Sequence, residues 1–167
     1  MPGRRLPLCG CARSWLFVDE WFVIGPFPSP HRVNRLKEFL PEQRVNLDDS
    51  FPGEGEEHLL WKRVQANMPP VWPPGQGQQS VSYAWTEIWS PREQTVWFIF
   101  GSDDFGKAWV CGQVVYQSGL SPHPWIPVRG YAKVSLRKGA NDVLFRVENA
   151  GGLTAFSCMI YLGPMLE

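Results

Sequence analysis

The stretch that most constrains this chain runs from Thr95 to Gly112. Thr95-Val96-Trp97-Phe98-Ile99-Phe100 is a continuous β-branched and aromatic run, followed by the acidic, glycine-bounded Gly101-Ser102-Asp103-Asp104-Phe105-Gly106. Lys107-Ala108-Trp109-Val110 then reaches a second turn at Cys111-Gly112. Apolar runs this short, rich in strand-forming residues and closed by Gly and Asp, read as strand, turn, strand, turn, strand. The first run is apolar on both faces, so it belongs in the middle of a sheet covered on both sides. A chain organised around such a strand must supply neighbours for it and a second layer.

The rest of the sequence supplies them. Trp15-Leu16-Phe17-Val18, Trp21-Phe22-Val23-Ile24, Leu59 to Val64, Val114-Val115-Tyr116, Ala132 to Leu136, Val143 to Val147 and Ala155 to Tyr161 are all short and strand-like, with turn residues between them. Sixteen Gly and sixteen Pro spread along the chain suit short strands and tight turns better than long helices. Val33, Leu36, Phe39 and Leu40 recur at helical spacing between Pro30 and Pro41, which predicts one short helix of two or three turns. Eight or nine strands with one short helix make an all-β jelly-roll sandwich the expected architecture, a single domain over residues 15–162.

Val81 to Trp89 alternates with period two. Val81, Tyr83, Trp85, Glu87 and Trp89 share one face; Ser82, Ala84, Thr86 and Ile88 share the other. If the smaller residues point inward, a row of aromatics with one carboxylate stands on the outside, a surface on which pyranose rings stack. The plainer alternative is that Tyr83 and Trp85 fill the core or are covered by the amino-terminal segment. Two Pro-rich loops carry further indoles, Trp72 within Met68 to Gln79 and Trp125 within Ser121 to Pro127. Each either staples its loop to the body or meets a ligand. The candidate ligand-binding residues are therefore Trp72, Tyr83, Trp85, Glu87, Trp89 and Trp125.

Residues 1–14 read as a disordered leader or a truncated signal. Arg4-Arg5 precedes only a brief apolar portion, well short of a secretory core. The chain as written is thus expected in the cytoplasm, or outside the cell if its start is truncated. Cys9-x-Cys11 and the single Cys111 and Cys158 show no zinc spacing with His31, His58 or His123; free thiols are the simple reading, and a Cys111 to Cys158 disulfide is open to an exported chain. Sixteen basic and sixteen acidic residues, without a basic block, argue against nucleic acid, and no apolar run approaches a bilayer span.

The succession Trp21 to Phe27, Ala84 to Ile88, Gly101-Ser102-Asp103-Asp104, Lys107 to Val110 with its Gly turn, and Leu136 to Leu144 resembles the bacterial galactose-binding-domain-like jelly rolls that accompany glycoside hydrolases and large extracellular proteins. Two departures stand out. The family commonly has Asp-Asp-Gly where this chain has Asp103-Asp104-Phe105-Gly106, and Asn-Gly where it has Cys111-Gly112. The resemblance implies a sandwich and carbohydrate binding without specifying a sugar. It also implies a structural calcium at Asp103 and Asp104, against which stands the simpler role of fixing the turn by accepting backbone N–H bonds.

No catalytic arrangement is visible. Adjacent Asp103 and Asp104 point apart in an extended segment, and no Ser/His/Asp order or phosphate-cradling loop is present. The expected function is a non-catalytic carbohydrate-binding-like module. The alternative is a structural or protein-interaction sandwich whose aromatics bury against another chain or in a homo-oligomer.

Overall fold

The computed structural model describes residues 4–7, 14–33, 37–53 and 57–163. It is an all-β sandwich, the class expected from the sequence. The strands in chain order are β1 (Arg4–Arg5), β2 (Trp15–Phe17), β3 (Glu20–Pro28), β4 (Ser50–Pro52), β5 (His58–Leu60), β6 (Lys62–Gln65), β7 (Ser80–Ser90), β8 (Gln94–Asp103), β9 (Phe105–Val110), β10 (Gln113–Gln117), β11 (Gly130–Leu136), β12 (Gly139–Asn149) and β13 (Ala155–Tyr161). The larger sheet runs β10-β9-β12-β7-β3-β6, with β1 pairing parallel to β7; the smaller runs β11-β8-β13-β2; β4 and β5 form a separate hairpin.

The Thr95 to Gly112 stretch joins the two layers. β8 extends through Asp103, and after a one-residue break at Asp104 the chain enters β9 in the opposite sheet. Cys111 and Gly112 both have left-handed φ, 49° and 75°, which suits a two-residue hairpin between β9 and β10. Alternation along the strands decides the interior. Val96, Phe98 and Phe100 of β8 meet Ala84 and Ile88 of β7, Ala108 and Val110 of β9, and Val143, Phe145 and Val147 of β12. Rings interlock through this layer: Trp21 edge-on to Phe156 at 5.3 Å, Phe156 to Phe145 at 5.5 Å, Phe145 to Phe100 at 5.5 Å, and Phe100 stacked on Tyr116 at 5.0 Å. Each fully buried side chain of this size contributes about 1.5–3 kcal/mol by leaving water.

Residues 4–7, expected within a disordered leader or truncated signal, pack on the sandwich: Arg4 and Arg5 pair with Ile88 and Trp89, Leu6 lies in the core, and Arg4 forms an ion pair with Asp19. The remainder of 1–14, Ser14 apart, lies outside the described residues. The helix predicted between Pro30 and Pro41 is reduced to a 3-10 turn at Pro30–Arg32 and one α-helical turn, α1 (Leu40–Gln43). Pro41 falls in the first turn of that helix, where a missing N–H costs nothing, and Phe39 before it is extended; Leu36 is not among the described residues. Leu59 to Val64 is two strands parted at Trp61, because β5 pairs with β4 whereas β6 pairs with β3. Cys111 and Cys158 are free thiols, the simple reading of the sequence: Cys111 is exposed at the hairpin tip of the larger sheet, and Cys158 is buried between the layers.

Among the described residues no helix is long and apolar enough to cross a membrane.

Candidate functional site

The smaller residues of β7 do point inward, so its larger ones form the outer face of the larger sheet. Strand register arranges that face in cross-strand rows. Phe22, Trp85, Leu144 and Trp109 make one row; Ile24, Tyr83, Arg146 and Lys107 make the next; Phe27, Val81, Glu148 and Phe105 make a third. The five residues expected as an exposed ladder therefore occupy five successive rows.

They are not equally open. The chain between β3 and β6 folds back over the face and builds a second apolar cluster on it. Phe39 packs against Phe27 at 4.9 Å and Tyr83 at 6.2 Å, Phe51 meets Phe27 at 5.7 Å, and Val45, Leu59 and Trp61 complete the cover. Val81 and Tyr83 are fully buried as a result, while Trp85, Glu87 and Trp89 stay half-buried. Arg5 lies over the Trp89 ring at 5.1 Å. Trp72 and Trp125 are elsewhere. Trp72, 50% exposed, flanks a hollow lined by residues 64–70. Trp125 lies on the outer side of the smaller sheet, donating its indole N–H to Ser157 Oγ at 3.2 Å above Gly101, where a side chain would collide with it. The structure thus brings Tyr83, Trp85, Glu87 and Trp89 onto one surface and leaves Trp72 and Trp125 apart from it.

A charged group that sequence reading missed sits at the centre of this face. Glu42, on α1, accepts from Arg146 Nη1 at 2.6 Å and from the Tyr83 hydroxyl at 2.5 Å, and stands 3.6 Å from Lys107 Nζ. Glu148 accepts from Arg32 Nε at 2.6 Å and faces Arg146 Nη2 at 3.8 Å. The Glu42, Arg146 and Glu148 side chains are 4%, 6% and 6% exposed, so these charges survive burial by mutual compensation. Arg146 Nη1 also donates to the Lys37 carbonyl at 2.9 Å, fixing the overlying segment to β12. Burial pushes the Tyr83 hydroxyl pKa well up, so it remains a donor to Glu42. Its only sequence signal was that Arg146 and Glu148 share a strand face with Leu144; their partners are over a hundred residues distant.

Glu42 separates two open spaces. One, a groove of about 330 Å³, is lined by Trp85, Trp109, Leu144 and Asp142 from the sheet and by residues 41–45 and Gly112. The other, a cleft of about 430 Å³, is lined by Arg32, Glu38, Phe105, Lys107, Arg146 and Glu148, by Gln117 at the end of β10 and by residues 118–120 after it.

The aspartates of the calcium expectation lie at the corner between the sheets. Asp104 Oδ2 accepts the Ala150 N–H at 2.7 Å, and Asp103 accepts a backbone N–H from Trp125. Burial, and then the charge of Asp104, raise the pKa of Asp103. Among the described residues no three His, Cys, Asp or Glu side chains gather as a metal site.

Comparison with known proteins gives likeness of fold only. No protein-family model matches the chain, and no curated protein matches its sequence. Solved structures do match. A β-glucuronidase of Ruminococcus gnavus is similar over 93% of this chain and 30% of its own, with a TM-score of 0.53 at 12% identity. The same enzyme in complex with D-glucuronic acid matches over 92% of this chain and 30% of its own, at 0.52 and 12%. The chain therefore spans less than a third of the length of these enzymes. At this identity the likeness shows the fold alone, a β-sandwich.

Proposed function

We propose that this chain is a non-catalytic, carbohydrate-associated accessory module that binds glycan in the Trp85–Trp109 groove. The observation that carries the reading is the groove itself. Two indoles of one cross-strand row line it, with Asp142 on the sheet and Gln43 and Arg44 on the overlying segment. That combination supplies apolar surface for sugar C–H groups and both donors and acceptors for hydroxyls. Likeness to a segment of β-glucuronidases supports an accessory role. The non-catalytic part rests on the carboxylates: Glu42 and Glu148 are engaged by arginines, and Asp103 and Asp104 by backbone N–H groups.

Calorimetric titration with neutral and acidic oligosaccharides tests the reading, with Trp85→Ala as the control. Binding that the substitution abolishes is the expected result; no heat with any glycan refutes it.

A second reading, a protein-interaction module, draws on the outer face of the smaller sheet. Trp15 and Tyr131 are each 58% exposed there, on either side of the half-buried Trp97 and Met159. Exposed apolar surface of this kind marks contact sites. Light scattering that gives a monomer, with no partner bound to that face, removes this reading.

A further inference from the structure

The groove and the cleft lie end to end along one strand. Phe105, Lys107 and Trp109 alternate on the outer face of β9, and the first two line the cleft while the third lines the groove. That is a span of about 13 Å, which no single pyranose ring covers. Glu42 borders both spaces. It faces Lys107 across 3.6 Å, longer than a hydrogen bond. The Glu42 side chain is 4% exposed and held by Arg146 and Tyr83, whereas that of Lys107 is 29% exposed, its ammonium 4.5 Å over the Trp109 ring. Of the pair between the two spaces, the lysine is the one that reaches solvent, on a flexible four-carbon stem.

The charges along this trough balance. Arg32, Arg44, Lys107 and Arg146 line it together with Glu38, Glu42, Asp142 and Glu148, four of each sign. An ion of either charge meets no surplus there. A neutral hydroxylated chain suits both signs, because each hydroxyl donates one hydrogen bond and accepts others. The two ends differ in what they offer. The groove presents Trp85 and Trp109 for stacking. In the cleft the aromatic ring of Phe105 lies under the Arg32 guanidinium at 3.5 Å, so contact there is through hydrogen bonds. Ser118 Oγ accepts the Gly106 N–H at 3.0 Å, which leaves its hydroxyl proton to donate. Exposed Gln117 offers both a donor and an acceptor, and exposed Glu38 at the rim offers acceptors.

We propose that groove and cleft form one site for a neutral linear oligosaccharide longer than a disaccharide. Its first units stack on Trp85 and Trp109 in the groove; the chain then passes Lys107 and hydrogen-bonds Ser118 and Gln117 in the cleft. Lys107 swings off the Trp109 ring as the glycan passes and donates to its hydroxyls. Volumes of about 330 and about 430 Å³ each lie within the range of small-ligand sites. The inference rests on glycan binding in the groove and adds the length and the charge that the site selects.

The test is calorimetric titration of the full chain with the disaccharide and the tetrasaccharide of the cello-, manno- and xylo-oligosaccharide series, and with tetragalacturonate. At least one neutral series should bind, its tetrasaccharide about tenfold tighter than its disaccharide, the worth of one or two net hydrogen bonds, and tetragalacturonate should bind no tighter than the neutral tetrasaccharide. Gly119→Trp fills the mouth of the cleft: a Cβ at Gly119 meets nothing within 4 Å, so the added side chain is accommodated. G119W should bring the tetrasaccharide down to the affinity of the disaccharide and leave the disaccharide unchanged, whereas W85A should abolish binding of both. Amide NMR of the wild type should show shifts at Gln117 and Ser118 with the tetrasaccharide and none with the disaccharide, and the same spectrum reports whether G119W is folded. Equal affinity for the two lengths, a gain with length that survives in G119W, tighter binding of tetragalacturonate, or no shift at Gln117 and Ser118 overturns the proposal; disaccharide binding that W85A abolishes would then leave the groove reading intact. No binding at either length in any series removes the groove reading and this inference together.

Discussion

Replacing Arg146 by Met tests whether the charged group under α1 holds the outer layer to the sheet. The substitution keeps an apolar stem of similar length and removes the guanidinium that bonds Glu42 at 2.6 Å and the Lys37 carbonyl at 2.9 Å. Breaking a buried ion pair from one side costs about 3–5 kcal/mol, because the remaining charge is left without its partner. Here Glu42 retains the Tyr83 hydroxyl and the distant Lys107, and Glu148 retains Arg32, so the lower end applies, about 3 kcal/mol. For a chain of this length each kcal/mol moves the melting midpoint by roughly 2–4 °C, so a fall of roughly 6–12 °C is expected. Urea unfolding of the wild type, R146M, E42Q and the double variant supplies the cycle. A coupling of about 2 kcal/mol, with the double variant less damaged than the two singles together, is the expected outcome. A cost for R146M below about 1 kcal/mol, the value of an exposed pair, or strict additivity would refute the argument.

Three further outcomes follow from particular residues. Asp103 has a raised pKa in the folded state, through burial and then the charge of Asp104, so folding favours its protonated form. The stability this gives is complete below its ordinary value of 3.8 and is lost as pH rises through the folded value. D103N, which keeps an acceptor for the Trp125 N–H, should therefore melt higher than wild type at neutral pH, the gap closing in acid; a constant gap would contradict this. At the β9–β10 hairpin, C111N should stabilise by about 0.5–1 kcal/mol in urea, since Asn tolerates the left-handed φ that Cys111 is forced to adopt. Destabilisation would mean that the weak Cys111 Sγ contact to Asn141 Oδ1 at 3.5 Å matters more than the backbone. Iodoacetamide on the native protein should modify exposed Cys111 and spare Cys158, whose thiol pKa is pushed up by burial; peptide mapping that finds Cys158 alkylated before unfolding would refute its enclosure.

The sandwich was legible because its signals are local. β8 was recognisable from six consecutive residues, β7 from its alternation, and the β9–β10 turn from Gly112 alone. Ala84 and Ile88 point inward as the pattern of β7 requires. What covers Tyr83 was not legible, since Phe39, Phe51 and Trp61 reach it only after the chain has folded back over the sheet. The helical spacing of Val33, Leu36, Phe39 and Leu40 misled for the same reason. Phe39 packs on Phe27 and Tyr83 rather than on neighbours of its own helix, and Val33 is exposed. The charged group was hidden by distance in sequence. Arg32 finds Glu148 and Glu42 finds Arg146 across most of the chain, and no spacing rule links such pairs.

The two apolar clusters lie on opposite faces of one sheet, and no buried residue belongs to both. Residues between the layers set whether the sandwich exists; the excursion between β3 and β6 supplies one wall of the groove and of the cleft. The two tasks can therefore change independently. A different sequence over residues 37–53 could alter recognition while every inter-sheet contact stays as it is, much as exchangeable loops diversify an immunoglobulin framework. On this view the molecule is a frame with a rewritable panel, and libraries randomised at residues 43–45, with Glu42 and Phe39 retained as anchors, are the natural way to draw new specificities from it.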